Sequence, residues 1–242
     1  PTASVTDSSG NGRDGVMTPP GVDPFHPTEG RFGGAVKVTA ESPINLGNID
    51  FGPDAMTIAT WIKPDDLNGL QVVASQSSDF NHAEWAWQVF LLGNTAHFYL
   101  FDPAWDGVTG EPFFFVGQVT DLTTDWTHLA MTVTTNDGEN TGEARIYKNG
   151  VQVGDTIAYD ADALIASSVD VILGNKANVT PEWAYRGLLD DTVLLDKALS
   201  PSDLAFIHAS GVEAWLNSLP VDEIPGDANG DQVVDAIDAK LL

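Results

Sequence analysis

The chain contains no cysteine. No disulfide can staple it, and a protein working in an oxidising compartment would need another fastener, for which bound calcium is the natural candidate. Positive charge is also scarce. Ten Lys and Arg stand against 35 Asp and Glu, a formal net charge of −25 over 242 residues. Phosphate backbones and anionic lipid surfaces are gripped by Lys/Arg patches, so nucleic acid and membrane surfaces are excluded as principal partners. Cations are attracted instead, and surplus carboxylate suits a salty medium, where screening weakens self-repulsion. No apolar run approaches the ~20 residues of a membrane-spanning helix. No signal peptide precedes the first residues, so the chain reads as a mature fragment or an excised module, with export inferred. Catalytic signatures are missing too. There is no Gly-x-Ser-x-Gly elbow, no His-Glu-x-x-His and no phosphate-binding glycine loop.

What is present is a supply of short β-type runs, with 43% hydrophobic residues, enough for one large domain and a short appendage. Residues 1–34 are rich in Gly, Pro, Ser and Asp and read as loop. From Ala35 onward "AVKV", "MTIATWIKP", "LQVVASQ", "WAWQVFLL", "AHFYLF", "FFFVGQV", "THLAMTVTT", "ARIYKNGVQV", "VDVILGN" and "LLDDTVLLD" follow one another, divided by turn clusters such as "NDGENTG" and "DPAWDG". That is about ten strands at the spacing of a β-sandwich. In "TIATWI", Ile58 and Thr60 take one face and Ala59 and Trp61 the other. "FFFV" is apolar on both sides, as in a strand between two sheets. Trp61 and Trp126 read as core. The single helical candidate is 200–218. Ser200 is its N-cap, Pro201 its first residue and Asp203 an acid near the positive end of the dipole, with Leu204, Ile207 and His208 on one face and an interruption expected at Gly211. "LPVDEIPG" (219–226) reads as a linker, which divides the chain into 1–218, 219–226 and 227–242.

Six segments occur in the order typical of bacterial laminin G-like domains: "DSSGNGRDG" (7–15), "GRFGGAVKV" (30–38), "MTIATWIKP" (56–64), "WTHLAMTV" (126–133), "ARIYKNGVQV" (144–153) and "GLLDDTVLLDKALSPSDL" (187–204). Through them most of residues 7–208 resemble that family. The resemblance implies an all-β, two-sheet antiparallel jelly-roll sandwich, concanavalin A-like, closed by a short C-terminal helix. Family members begin with a further strand, and only Pro1 to Thr6 precede Asp7, which leaves one sheet edge unaccounted for. The resemblance also implies a structural calcium ion between the N-terminal loop and the last strand. Its ligands would be Asp190 with Asp7, Asn11, Asp14 and a backbone carbonyl near Gly34. Calcium takes six to eight hard oxygens, about 2.4 Å away, from such loops. Asp7 and Asp14 read equally well as turn residues that hydrogen-bond to their own backbone.

"DANGDQVVDAID" places Asp227, Asn229, Asp231, Asp235 and Asp238 at positions 1, 3, 5, 9 and 12 of an EF-hand-like calcium loop, with the Val233 carbonyl at position 7. An Asp at position 12 and the "GDANGD" opening resemble the first half of a dockerin repeat, which implies a cohesin-like protein partner. Gln232 departs from that pattern at position 6, where Gly makes the turn.

Sugars offer apolar C–H faces to aromatic rings and hydroxyls to carboxylates and amides. Trp105 between Asp102 and Asp106 suits that use, as do Trp85 and the Trp183–Arg186 pair, although Trp85 and Trp87 can also be core. His128 reads as a buried, structural histidine. Asp79, His82 and Glu84 could form a metal or acid–base cluster, and loop polarity explains them as well. Glycosidases on this scaffold carry Glu-x-Asp-x-x-Glu on one strand, and no such string occurs. The expectation is a secreted, calcium-stabilised, non-catalytic module that recognises a polysaccharide or surface glycan. The alternatives are an adhesion module with a protein partner and an unrecognised hydrolase.

Overall fold

The structure is a computed structural model that describes residues 3–7, 12–17, 25–26, 29–78, 85–101, 113–135, 142–159, 164, 167–177 and 181–219. Its strands form two antiparallel sheets. The eight-stranded sheet runs, edge to edge, β1 (Ala3–Val5), β2 (Gly15–Met17), β5 (Ile44–Asn45), β14 (Ile172–Leu173), β7 (Leu70–Gln76), β8 (Trp87–Leu92), β9 (Thr95–Phe101) and β10 (Phe113–Val119). The seven-stranded sheet runs β13 (Val151–Tyr159), β12 (Gly142–Lys148), β11 (Thr127–Thr134), β6 (Ala55–Pro64), β15 (Gly187–Leu195), β4 (Ala35–Val38) and β3 (Phe25–His26). This is the sandwich expected from the alternating runs. The residues ahead of Asp7 supply the edge strand that the sequence left unaccounted for, since β1 pairs with β2 from Ala3↔Met17 to Val5↔Gly15.

Strand β6 explains how a nearly continuous apolar run is accommodated. Met56, Ile58 and Ile62 point into the main core between the sheets, and Ala59 points out of it into a second apolar cluster. The second cluster exists because two short helices cover the outer face of the seven-stranded sheet. They are α1 (Pro201–Ser210) and α2 (Val212–Leu216). Leu204, Ile207, Val212 and Trp215 pack there against Ala59, Ala130, Tyr147 and Val193. Burying Leu204 and Ile207, both fully inaccessible, contributes on the order of 2 kcal/mol each. The start of α1 is fixed as its sequence predicts. Ser200 accepts the Asp203 N–H, Asp203 accepts the Ser200 N–H, and Pro201 opens the helix. Gly211, at φ 87°, separates α1 from α2.

Two expectations are corrected. "FFFV" lies in β10, at the edge of the eight-stranded sheet and paired only with β9. Trp126 sits just before β11 and is half-buried, outside both apolar clusters, because the chain enters the sheet only at Thr127.

Strand β15 carries a bulge. Asp190 faces Trp61 and Val193 faces Ala59, so Asp191 and Thr192 together stand opposite Thr60 and β15 carries one extra residue. Asp191 takes a left-handed backbone, φ 43°, in a fully buried position. Its Oδ2 accepts the Val212 N–H at 2.9 Å. A strand residue therefore caps α2, whose own N-cap, Gly211, has no side chain to do so.

Candidate functional site

The outer face of the eight-stranded sheet has no helical cover among the described residues. Trp87, Val89 and Leu91 of β8, and Ala96, Phe98 and Leu100 of β9, belong to the main core. Their alternates must face the other way. Those alternates are Gln88 and Phe90 on β8 and His97, Tyr99 and Phe101 on β9. Cross-strand register lines them up: Phe90 opposite His97, and Gln88 opposite Tyr99. Gln118 of β10 extends the first row beyond His97, and Ser75 of β7 extends the second beyond Gln88.

The rings form one patch. Phe90 and His97 stack, with centroids 4.9 Å apart and planes 7° from parallel, and Tyr99 lies 5.2 Å from Phe90. Phe90 is buried, while His97 and Tyr99 stay partly open. Burial lowers the His97 pKa and raises that of Tyr99, so both rings are neutral near pH 7. The result is an uncharged group of aromatic rings with the exposed amide of Gln118 at its edge and the amide of Gln88 buried beside it.

One end of the platform is closed by a second aromatic group. Trp85 packs edge-on against Phe101, 4.7 Å between centroids, and its indole N–H donates to the Ser78 carbonyl. Trp183, in a single 3-10 turn at Pro181–Trp183, is among the exposed large apolar side chains. Lys176 Nζ lies 4.9 Å from the Trp183 ring and 5.7 Å from the Trp85 ring. Trp85 and Trp87 thus part company. Trp87 is core, and Trp85, ahead of the first residue of β8, belongs to the platform's rim. Of the residues expected to contact a ligand, Trp85 and Trp183 are placed here. Asp102, Trp105 and Asp106 lie outside the described residues, as do Asp79, His82 and Glu84.

The sequence reading missed Phe90, His97, Tyr99, Gln88, Gln118 and Lys176. "AHFYLF" looks uniformly apolar, and only the polar-tipped rings at alternate positions, His97 and Tyr99, signal an outward face.

The expected calcium ligands are distributed between the two sheets. Asp7 and Asp14 are joined at the β1–β2 connection. Asp14 Oδ1 accepts the Asp7 N–H and Asp7 Oδ2 accepts the Arg13 N–H, both at 2.8 Å. Asp190 is in β15, where its Oδ2 accepts the Phe32 N–H and its Oδ1 the Asp191 N–H, both at 2.9 Å. Gly34 closes a tight turn whose Gly30 N–H donates to Gly33 O at 3.0 Å. Among the described residues no group of three or more His, Cys, Asp or Glu side chains is placed to hold a metal ion. The described carboxylates alone therefore do not make the oxygen cage that calcium needs. Asn11 and the loop from Asp227 through Asn229, Asp231, Val233 and Asp235 to Asp238 lie outside the described residues.

Comparison with known proteins agrees with the architecture. A family model described as the concanavalin A-like lectin/glucanases superfamily matches residues 38–205. No curated protein matches the chain. Among solved structures, domain 4 of AbnA, a GH43 extracellular arabinanase from Geobacillus stearothermophilus in complex with arabinotriose, is similar at 18% identity and TM-score 0.55, covering 86% of this chain and 88% of that one. The CBM40 of the Ruminococcus gnavus IT-sialidase, bound to alpha2,3 sialyllactose, is similar at 14% identity and TM-score 0.51, covering 72% and 96%. The receptor binding domain of botulinum neurotoxin C/D mosaic serotype is similar at 13% identity and TM-score 0.50, covering 72% and 41%. At these identities the likeness establishes the fold alone.

Proposed function

The chain belongs to the concanavalin A-like lectin/glucanase superfamily, and from that premise we propose that it is a non-catalytic glycan-binding module whose ligand lies across the outer face of the eight-stranded sheet. The observation behind this reading is the neutral aromatic row in which the partly open His97 and Tyr99 pack on the buried Phe90, with the exposed Gln118 at its border. Ring faces stack on the C–H faces of a sugar, and amide, phenol and imidazole groups exchange hydrogen bonds with its hydroxyls. Two proteins of similar fold, solved with arabinotriose and with sialyllactose, lend the reading support. Secretion and calcium stabilisation are further parts of the proposal. Secretion is supported by the similar fold of a domain from an extracellular arabinanase, and calcium stabilisation by the absence of cysteine, the charge of −25 and the Asp7–Asp14 pair. A cohesin-like partner for 227–242 rests on the spacing of its oxygen-bearing side chains.

The test is affinity electrophoresis against gel-embedded polysaccharides, neutral and acidic, with calcium and with chelator. Retardation by one polymer, reduced at least tenfold in apparent affinity by Tyr99→Ala and unchanged by Phe206→Ala on the far side of α1, is the expected result. No retardation by any polymer, or undiminished retardation in Tyr99→Ala, would sink the reading. Cohesin-like binding that persists after removal of 227–242 would sink the partner proposal.

A further inference from the structure

The opposite face of the molecule holds a cluster that glycan binding does not use. His128, on the outward side of β11, is completely buried, and both of its ring nitrogens lack a hydrogen-bond partner. Above it lies α1. His208 of that helix stacks on Trp61, centroids 5.2 Å apart, and stands 6.1 Å from the His128 ring. Trp61 in turn is 5.4 Å from His128 and has its own buried, unpartnered indole N–H. The Arg31 guanidinium lies 5.1 Å from the Trp61 ring. The helix rests on the Asn149–Gly150 turn, where a Cβ on Gly150 would come within 2.9 Å of Ala205 Cα and 3.0 Å of His208 Cβ. That turn is tied to the histidine strand, since Asn149 Oδ1 accepts the His128 N–H at 2.9 Å.

We propose that the α1–α2 pair is an acid-released latch, held down while His128 and His208 are neutral and lifted when they take up protons. The elements packed around His128 carry His208 and Asp203 on α1, Glu213 on α2, Glu143, Arg145, Tyr147 and Lys148 on β12, Lys63 on β6, Arg31 in the loop before β4, and the paired carboxylates Asp190 and Asp191 on β15. The two carboxylates receive backbone N–H groups of Phe32, Asp191 and Val212. Protonation would therefore place two imidazolium ions 6.1 Å apart beside a guanidinium. Burial, then His208, holds His128 down to about 3, and burial, then Arg31, lowers His208. Relief need not unfold the sandwich. His128 lies outside the main core, and lifting α1 hydrates it while the apolar cluster between the sheets stays intact. Release would free residues 200–219 as added tether ahead of the segment 220–242.

Hydrogen exchange of the full chain at pH 7 and pH 4.5, corrected for intrinsic rates, tests this. Opening of 201–216 should rise at least tenfold between the two pH values, up to a limit of about a hundredfold for each imidazole set by two pH units below its free value, and at pH 4.5 it should be at least tenfold more frequent than opening of β8. In His128→Leu the rise should be at least tenfold smaller. Gly150→Ala should open 201–216 at both pH values. The proposal is overturned if 201–216 and β8 open equally often at pH 4.5, if 201–216 does not open more at pH 4.5 than at pH 7, or if His128→Leu keeps the full rise. Should His128→Leu not fold, His208→Gln must shrink the rise, and an undiminished rise there overturns the proposal equally.

Discussion

Replacing Asp191 separates two contributions that coincide at one residue. Its carboxylate is the cap of α2, accepting the Val212 N–H at 2.9 Å in a buried setting, and its backbone is left-handed at φ 43°. In Asp191→Ala the cap is lost and a buried N–H is orphaned, which costs about 2–3 kcal/mol. A β-carbon without a polar side chain in the left-handed region adds about 1 kcal/mol. Asp191→Gly loses the cap and relieves the backbone, so it should cost about 1 kcal/mol less than Ala. Asp191→Asn keeps an acceptor oxygen and tolerates the same φ, so it should cost about 1 kcal/mol. The order of stability is therefore wild type, Asn, Gly, Ala. Urea unfolding followed by far-UV circular dichroism reads it directly, and for a domain of this size the Ala variant should melt roughly 6–16 °C below wild type. The reasoning fails if Ala lies within 1 kcal/mol of wild type (about the size of one exposed cap), or if Ala is more stable than Gly. The first outcome would mean the α2 cap contributes little; the second would mean the bulge is not strained.

Gly174 sits at φ 87° with Val38 Cγ1 only 2.2 Å from where a Cβ would lie, so Gly174→Ala should destabilise by about 3 kcal/mol in the same urea assay through overpacking and left-handed strain. Folded His128 is neutral down to about 3, while an unfolded imidazole protonates near 6.5. Its contribution is thus intact above pH 6.5 and lost as pH falls toward the folded value. By pH 4 the loss should be about 3 kcal/mol relative to pH 7, and His128→Leu should show a correspondingly shallower acid decline in urea midpoints. If calcium stabilises the module, EDTA will lower its melting temperature and added Ca2+ will restore it, whereas an unchanged melt in chelator removes calcium from the account. Because His97 is neutral near pH 7 and its pKa is lowered by burial, glycan affinity should stay level between pH 7 and 8, as a titration by affinity electrophoresis would register.

The sandwich was legible because local pattern and fold agree. "TIATWI" alternates as β6 does, and Ser200, Pro201 and Asp203 open α1 as their chemistry requires. The binding face was less legible. On β9 the outward His97 and Tyr99 alternate with the inward Phe98 and Leu100, and a mostly apolar string does not say which side meets water. Trp85 and Trp87 share a parity in sequence but not a fate, because the strand begins only at Trp87. Asp190 and Asp191 looked like neighbours in a strand. Only the arrival of α2, some twenty residues later, gives the Asp191 carboxylate its Val212 partner, and contacts at that separation leave no local signature.

Strand order has a consequence for the timing of folding. Strand β6 is hydrogen-bonded on one side to β11 and on the other to β15, so its second edge stays bare until residues 187–195 are available. Strand β14 likewise completes the eight-stranded sheet between β5 and β7 only after residue 172. Both sheets therefore close through pairings more than a hundred residues apart, between Ile44 and Leu173 and between Ile62 and Leu189. Such chains must lose loop entropy before contacts compensate, which puts folding on the millisecond-to-second scale. During synthesis at about 5–20 residues per second, "MTIATWI" would spend seconds as an unpaired, apolar edge, and that interval, rather than the stability of the finished sandwich, sets the molecule's exposure to aggregation.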